Sequence, residues 1–172
     1  CHSQGKASGE LYVRIVVAAR RALSLQSRDS VRLNDNMIAI GLGWDLLAGV
    51  SAVDLDASCV CFSQSGEVMM EESVYFAQLQ SASRAIRHTG DEKEGDEDLG
   101  QGDDEIVLVN LGAVPAQVAA LFFVATVATE GRSFCEVDTA RMRLVEWKSG
   151  IERCRFNIAQ QGKKHTALFM AR

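Results

Sequence analysis

Short apolar runs, each followed by turn residues, recur along the whole chain. LYVRIVVAA (11–19), MIAIGLGW (37–44) and IVLVNL (106–111) are rich in β-branched residues. So are LFFVATVA (121–128) and the run around ARMRLVEW (140–147). Two further runs alternate. In DLDASCVCF (54–62), Leu55, Ala57, Cys59 and Cys61 fall on one side, and Asp54, Asp56, Ser58 and Val60 on the other. IERCRFNIA (151–159) repeats the two-residue period. Period-two patterning of this length predicts half-buried strands. SVYFAQL (73–79) and SRAIRH (83–88) are weaker strand candidates, and SQSG (63–66) reads as a turn. Regularly spaced short strands predict an all-β, two-sheet β-sandwich. One helical turn is expected within 113–120, with Pro115 near its start. Gly41 and Gly43, inside a strand, signal a bulge or a close approach of backbone.

Residues 106–129 contain no charge, which by length alone would suit a membrane span. Asn110, Gly112, Pro115 and Gln117 interrupt the run, so two buried strands around a turn are expected instead. Neither a repeat nor a linker appears. A polar tail (1–9) followed by a single domain (10–172) is the expected organisation. The composition is that of a globular protein, with 47% apolar and 24% charged residues among 172. Five scattered cysteines without a CxxC pair read as free thiols and suit a reducing, cytoplasmic setting. Trp44 and Trp147 are expected in the core, and His88 in a hydrogen-bonded loop.

Charge changes the picture. Of the 15 residues 91–105, DEKEGDEDLGQGDDE, nine are acidic and only Lys93 is basic. Such a segment does not grip nucleic acid. It suits a cation, a basic partner or a solvated loop. Asp54 and Asp56 lie on one face of a predicted strand, where two like charges repel unless a cation or several donors compensate. Gly90, Gly95, Gly100 and Gly102 let the acidic loop curl so that oxygens converge. Hard oxygen ligands in a flexible loop are the chemistry of Ca²⁺. The EF-hand spacing is absent. Metal binding and a solvated acidic loop fit this composition equally. No nucleophile stands where His88 could serve it as a base, so no enzymatic activity is expected.

The ordered words GLGWD (41–45), DLDASC (54–59), HTGD (88–91), GDDE (102–105) and NLGAVP (110–115) resemble the TerD family of tellurium-resistance and stress-response proteins. FCEVDTARMRLV (134–145) is similar to a later family run, and the likeness covers roughly 22–171. The resemblance implies a Ca²⁺-binding β-sandwich, usually with two ions, acting as a binding or scaffold protein in membrane-associated or multiprotein assemblies. Carried over by motif, the metal ligands are Asp54, Asp56, Asp91, Asp103, Asp104 and Glu105. The loop departs from the family in Asp91-Glu92-Lys93-Glu94-Gly95 and is about three residues longer, which makes Asp96 and Asp98 substitutes. The family domain normally continues past a point like Arg172, so a sheet edge open to the 11–19 strand or to another chain is expected. The alternative is a structural subunit whose degenerate loop holds no metal.

Overall fold

The computed structural model describes residues 23–24, 30–50, 52–90, 102–158 and 163–171. Its strands are β1 (Leu23–Ser24), β2 (Met37–Leu46), β3 (Leu55–Ser63), β4 (Ile86–His88) and β5 (Glu105–Asn110), then β6 (Val118–Val127), β7 (Val137–Glu146), β8 (Ile151–Asn157) and β9 (Ala167–Ala171). Six form one sheet in the order β1-β8-β7-β2-β5-β4, and three form a second in the order β3-β6-β9. All pairings are antiparallel except β1 with β8. The all-β, two-sheet expectation holds.

Alternation explains the packing. Ile38, Ile40, Leu42 and Trp44 of β2, Val107 and Val109 of β5, and Ala140, Met142 and Leu144 of β7 are buried in one core. Leu55, Ala57, Cys59 and Cys61 of β3, with Phe123 and Ala125 of β6, complete the same core from the second sheet. Complementary inner faces of two sheets remove apolar area from water, which is the main stabilising term of a sandwich. Cys59, Cys61 and Cys154 are buried free thiols, while Cys135 is free and exposed.

The uncharged run 106–129 divides as expected, but its halves enter different sheets. β5 pairs with β2 and β4, whereas β6 pairs with β3 and β9. The helical turn between them lies at Leu111–Ala113, before Pro115 rather than after it. Beyond the proline, Val118 is already extended, because its partners on β3 set the geometry there. Among the described residues, no helix is long and apolar enough to cross a membrane.

Three other expectations are corrected. The 73–79 run forms no continuous strand. Val74 makes an isolated bridge to Cys59, and Tyr75 bridges Gln78 in a tight turn. Trp147 is 53% exposed at the β7–β8 turn, because β7 ends at Glu146 before reaching it. His88 is a buried strand residue rather than a loop residue. The 11–19 strand, the 1–9 tail and Cys1 fall outside the described residues, as do Asp91, Asp96 and Asp98.

Candidate functional site

Of the motif words, NLGAVP lies at the end of β5, beside the start of β2, whereas GLGWD, DLDASC, HTGD and GDDE meet at the opposite end of the sandwich. β3 begins there, β4 ends there in His88, and β5 begins there with Glu105. Thr89 binds the start of β5 twice. Its N–H donates to Ile106 O at 2.9 Å, and its Oγ1 accepts from Ile106 N at 3.2 Å. The acidic segment therefore leaves and re-enters the sheet at adjacent strands.

Glu105 is fully buried. Its Oε2 accepts from Ala57 N at 2.6 Å and lies 3.2 Å from His88 Nε2. The same His88 nitrogen is 3.1 Å from Ala57 O, and Gly90 N–H donates to His88 Nδ1 at 3.1 Å. That network assigns the proton to Nε2. Burial lowers the proton affinity of His88, but the hydrogen bond and charge of Glu105 outweigh it and leave the pKa above the usual histidine value. Protonation at Nδ1 would break the bond from Gly90.

The outer edge of β3 explains this arrangement. Cys59 exchanges backbone bonds with Val74 at 2.9 Å each, and Met69 N donates to Cys61 O at 2.8 Å. Ser73 Oγ accepts from Cys61 N at 3.0 Å, and Ser63 N donates to Glu67 O at 2.9 Å. At Ala57 no backbone neighbour provides the equivalent pair among the described residues. Glu105 and His88 take that place, one accepting and one donating, and so join β5 and β4 of the large sheet to β3 of the small one. Buried backbone groups are almost always paired, and here side chains pair them.

Asp104 and Asp103 are held by β2 and β7. Asp104 N donates to Leu42 O, and Asp104 Oδ2 accepts from Trp44 N, both at 2.8 Å. Asp103 lies across Gly41 and accepts from Arg143 Nε at 2.7 and 3.0 Å. A Cβ on Gly41 would overlap the Asp103 carboxylate. Gly102 O accepts from Arg141 Nη2, and a Cβ on Gly43 would stand 2.8 Å from that carbonyl. The two glycines are thus required by close approach, as their position in a strand suggested. Arg143 continues to Glu152 at 3.4 Å, and Arg155 binds Glu152 at 2.6 and 2.8 Å.

Asp54 immediately precedes β3, and Asp56 is its second residue. Asp54 N donates to Thr129 Oγ1, and Asp54 O accepts from Ala128 N, both at 2.8 Å. Asp56 is buried, pairs with Thr126 in register, and lines a groove of about 240 Å³ with Ser58, Val60, Thr126 and Phe76. It is one peptide unit from the Ala57 N–H that Glu105 caps. Among the described residues, no three His, Cys, Asp or Glu side chains are grouped to hold a metal. The donors at this end are hard oxygens, which fits Ca²⁺ rather than a thiophilic ion. The GDDE carboxylates all accept hydrogen bonds from protein donors. Arg141, Arg143 and Thr129 were not singled out from the sequence, since nothing local marks partners 39 to 75 residues away.

A two-sheet β-sandwich with a carboxylate-rich end defines the class. Residues 22–172 match the TerD domain. The chain belongs to the TerD family. It is 33% identical to "Tellurium resistance protein TerZ" of Serratia marcescens over 164 residues, covering 87% of this chain and 81% of that protein. It is 32% identical to "General stress protein 16U" of Bacillus subtilis (strain 168) over 151 residues, covering 83% and 77%. A solved structure titled a homologue of telluride resistance protein (TerD), SCO6318 from Streptomyces coelicolor A3(2), superposes with a TM-score of 0.62. Its identity is 16%, and 76% of each chain is covered. That likeness establishes the fold.

Proposed function

We propose that this chain is a Ca²⁺-binding β-sandwich module acting in the stress response, tellurite resistance included, as a binding or scaffold protein without enzymatic activity. The observation that carries the reading is the convergence just described. The ends of β4 and β5 that bracket the acidic segment lie against the peptide unit that follows Asp56. A cation there would neutralise carboxylates drawn from both sheets, with Asp54, Asp56 and Asp91 as its leading ligands. The names of the relatives support the stress assignment. Buried free thiols support a reducing, cytoplasmic setting. The ordered loop and a sheet edge would then meet other protein chains.

Calorimetric titration of EDTA-treated protein tests this. Ca²⁺ should bind with measurable heat, and Mg²⁺ more weakly, because Mg²⁺ demands a tighter octahedron. At a hundredfold excess over Kd the native state gains about 2.7 kcal/mol. A domain of this size should then melt about 5 to 11 °C higher than in EDTA. The double substitution Asp54→Asn, Asp56→Asn should remove most of that shift, whereas Glu92→Gln with Glu94→Gln should not. A melting point indifferent to Ca²⁺ would refute the metal reading. It would favour the structural-subunit reading, which has its own support in the protein donors held by Asp103, Asp104 and Glu105.

A further inference from the structure

We propose that Asp103, although it sits in the acidic motif, is not a metal ligand but a positioning residue that clamps the exit of the acidic loop across β2. This rests on the Ca²⁺ reading for its wider meaning, but the clamp itself can be measured without metal. Three observations carry it.

First, the side chain points the wrong way for a shared site. In β2 the inward positions are Ile40, Leu42 and Trp44. Gly41 and Gly43 therefore face outward, and Asp103 and Gly102 lie over them. Glu105, two residues on, points inward to the core. Asp103 is thus on the outer surface of the large sheet, while Asp54 and Asp56 belong to β3 of the other sheet. Stacked sheets lie about 10 Å apart. Ligands of one Ca²⁺ each sit about 2.3 to 2.6 Å from the ion. An ion on Asp54 and Asp56 would lie on the far side of the large sheet from the Asp103 carboxylate.

Second, the carboxylate is already paired with a cation of the protein. Both oxygens are within 3.0 Å of Arg143 Nε, and the carboxylate side chain is 8% exposed. Charge-assisted bonds of this kind are among the stronger ones in proteins. Third, the crossing is built by two cross-strand pairs. Gly41 stands opposite Arg143, and Gly43 opposite Arg141. Each glycine clears a path, and each arginine takes what crosses it: the Asp103 carboxylate over Gly41, the Gly102 carbonyl over Gly43. The clamp fixes the backbone just before Asp104 and Glu105, and so sets where the loop returns.

Thermal melts in EDTA and in saturating Ca²⁺ separate a clamp from a ligand. Asp103→Asn should lower the EDTA melting point by about 3 to 8 °C, as expected for losing a charge-assisted bond in a domain of this size. The Ca²⁺-induced rise should persist, with Ca²⁺ affinity reduced no more than a few-fold. Asp54→Asn should instead remove most of the rise. Asp103→Ala and Arg143→Gln should be non-additive when combined. Gly41→Ala should destabilise the wild type strongly but be tolerated in the Asp103→Ala background, where the overlapping carboxylate is gone. An Asp103→Asn protein that melts normally in EDTA yet ignores Ca²⁺ would overturn the proposal. Additive effects of Asp103→Ala and Arg143→Gln in EDTA would overturn it too. If the wild type itself ignores Ca²⁺, the metal reading fails, and the two substitution cycles in EDTA still decide the clamp.

Discussion

Replacing Glu105 by Ala isolates the side-chain bridge between the two sheets. The substitution removes the only described acceptor for Ala57 N–H, which Glu105 Oε2 meets at 2.6 Å in a fully buried setting. His88 Nε2–H keeps its second partner, Ala57 O, at 3.1 Å. One orphaned buried donor costs about 1 to 3 kcal/mol. Truncation also removes one buried methylene, Cγ, at about 0.8 kcal/mol. The sum is about 2 to 4 kcal/mol, or about 4 to 16 °C in melting point for a domain of this size. Glu105→Gln keeps an oxygen for Ala57 N–H and should lose less than half as much. Urea denaturation in EDTA measures both without any contribution from metal. If Glu105→Ala stays within about 0.5 kcal/mol of wild type, the bridge is not holding the edge of β3. If Glu105→Gln is as damaging as Glu105→Ala, charge rather than hydrogen-bond acceptance is what matters there.

Trp44→Phe should lose the buried bond from Nε1 to Val53 O at 3.0 Å, destabilising by about 1 to 2 kcal/mol in urea titration. Trp147→Phe should be within about 0.5 kcal/mol of wild type and should remove the red-shifted part of the tryptophan emission, since Trp44 is buried and Trp147 is 53% exposed. Cys135→Ser should delete one fast-reacting thiol in a native thiol-reagent assay, while Cys59, Cys61 and Cys154 react only on unfolding. Burial pushes the Cys154 thiol up to about 11 from 9.0, so its contribution to stability is full below pH 9.0 and is lost as pH rises toward 11. Cys154→Ala should flatten that part of the stability–pH curve; an unchanged slope would remove Cys154 as its source.

The strands were legible where local pattern and tertiary role agree. Leu55, Ala57, Cys59 and Cys61 face the core because a strand paired on β6 leaves one face to bury. The segment 73–79 misled because Val74 is apolar for a different reason: it pairs at the edge of β3 rather than along a strand of its own. Trp147 misled because its side chain type suggests burial, and only the end of β7 decides otherwise. At the site, sequence singled out the acidic words but could not assign directions to them. Whether Asp103 faces outward depends on Gly41, 62 positions earlier, and on Arg143, 40 later. His88 reads as a loop residue until Ala57, 31 positions away, is seen to need a donor.

The division of the uncharged run 106–129 between two sheets bears on how the chain folds. β5 and β6 are consecutive, yet they cannot form a hairpin with each other. β5 must find β2, with Met37 opposite Asn110, and β6 must find β3, with Leu55 opposite Val127. Pairings so distant in sequence place the domain among slow folders, on the millisecond-to-second scale. Until they form, two adjacent strand-forming stretches without charge are open to other chains, and that is the situation that leads to aggregation. The acidic run 91–105 immediately precedes them. On that basis its repulsion would keep unfinished copies apart, in the way of gatekeeper charges flanking an unavoidable apolar strand. Neutralising Glu92, Glu94, Asp96 and Asp98 would then reduce refolding yield at high protein concentration while leaving the native fold unchanged.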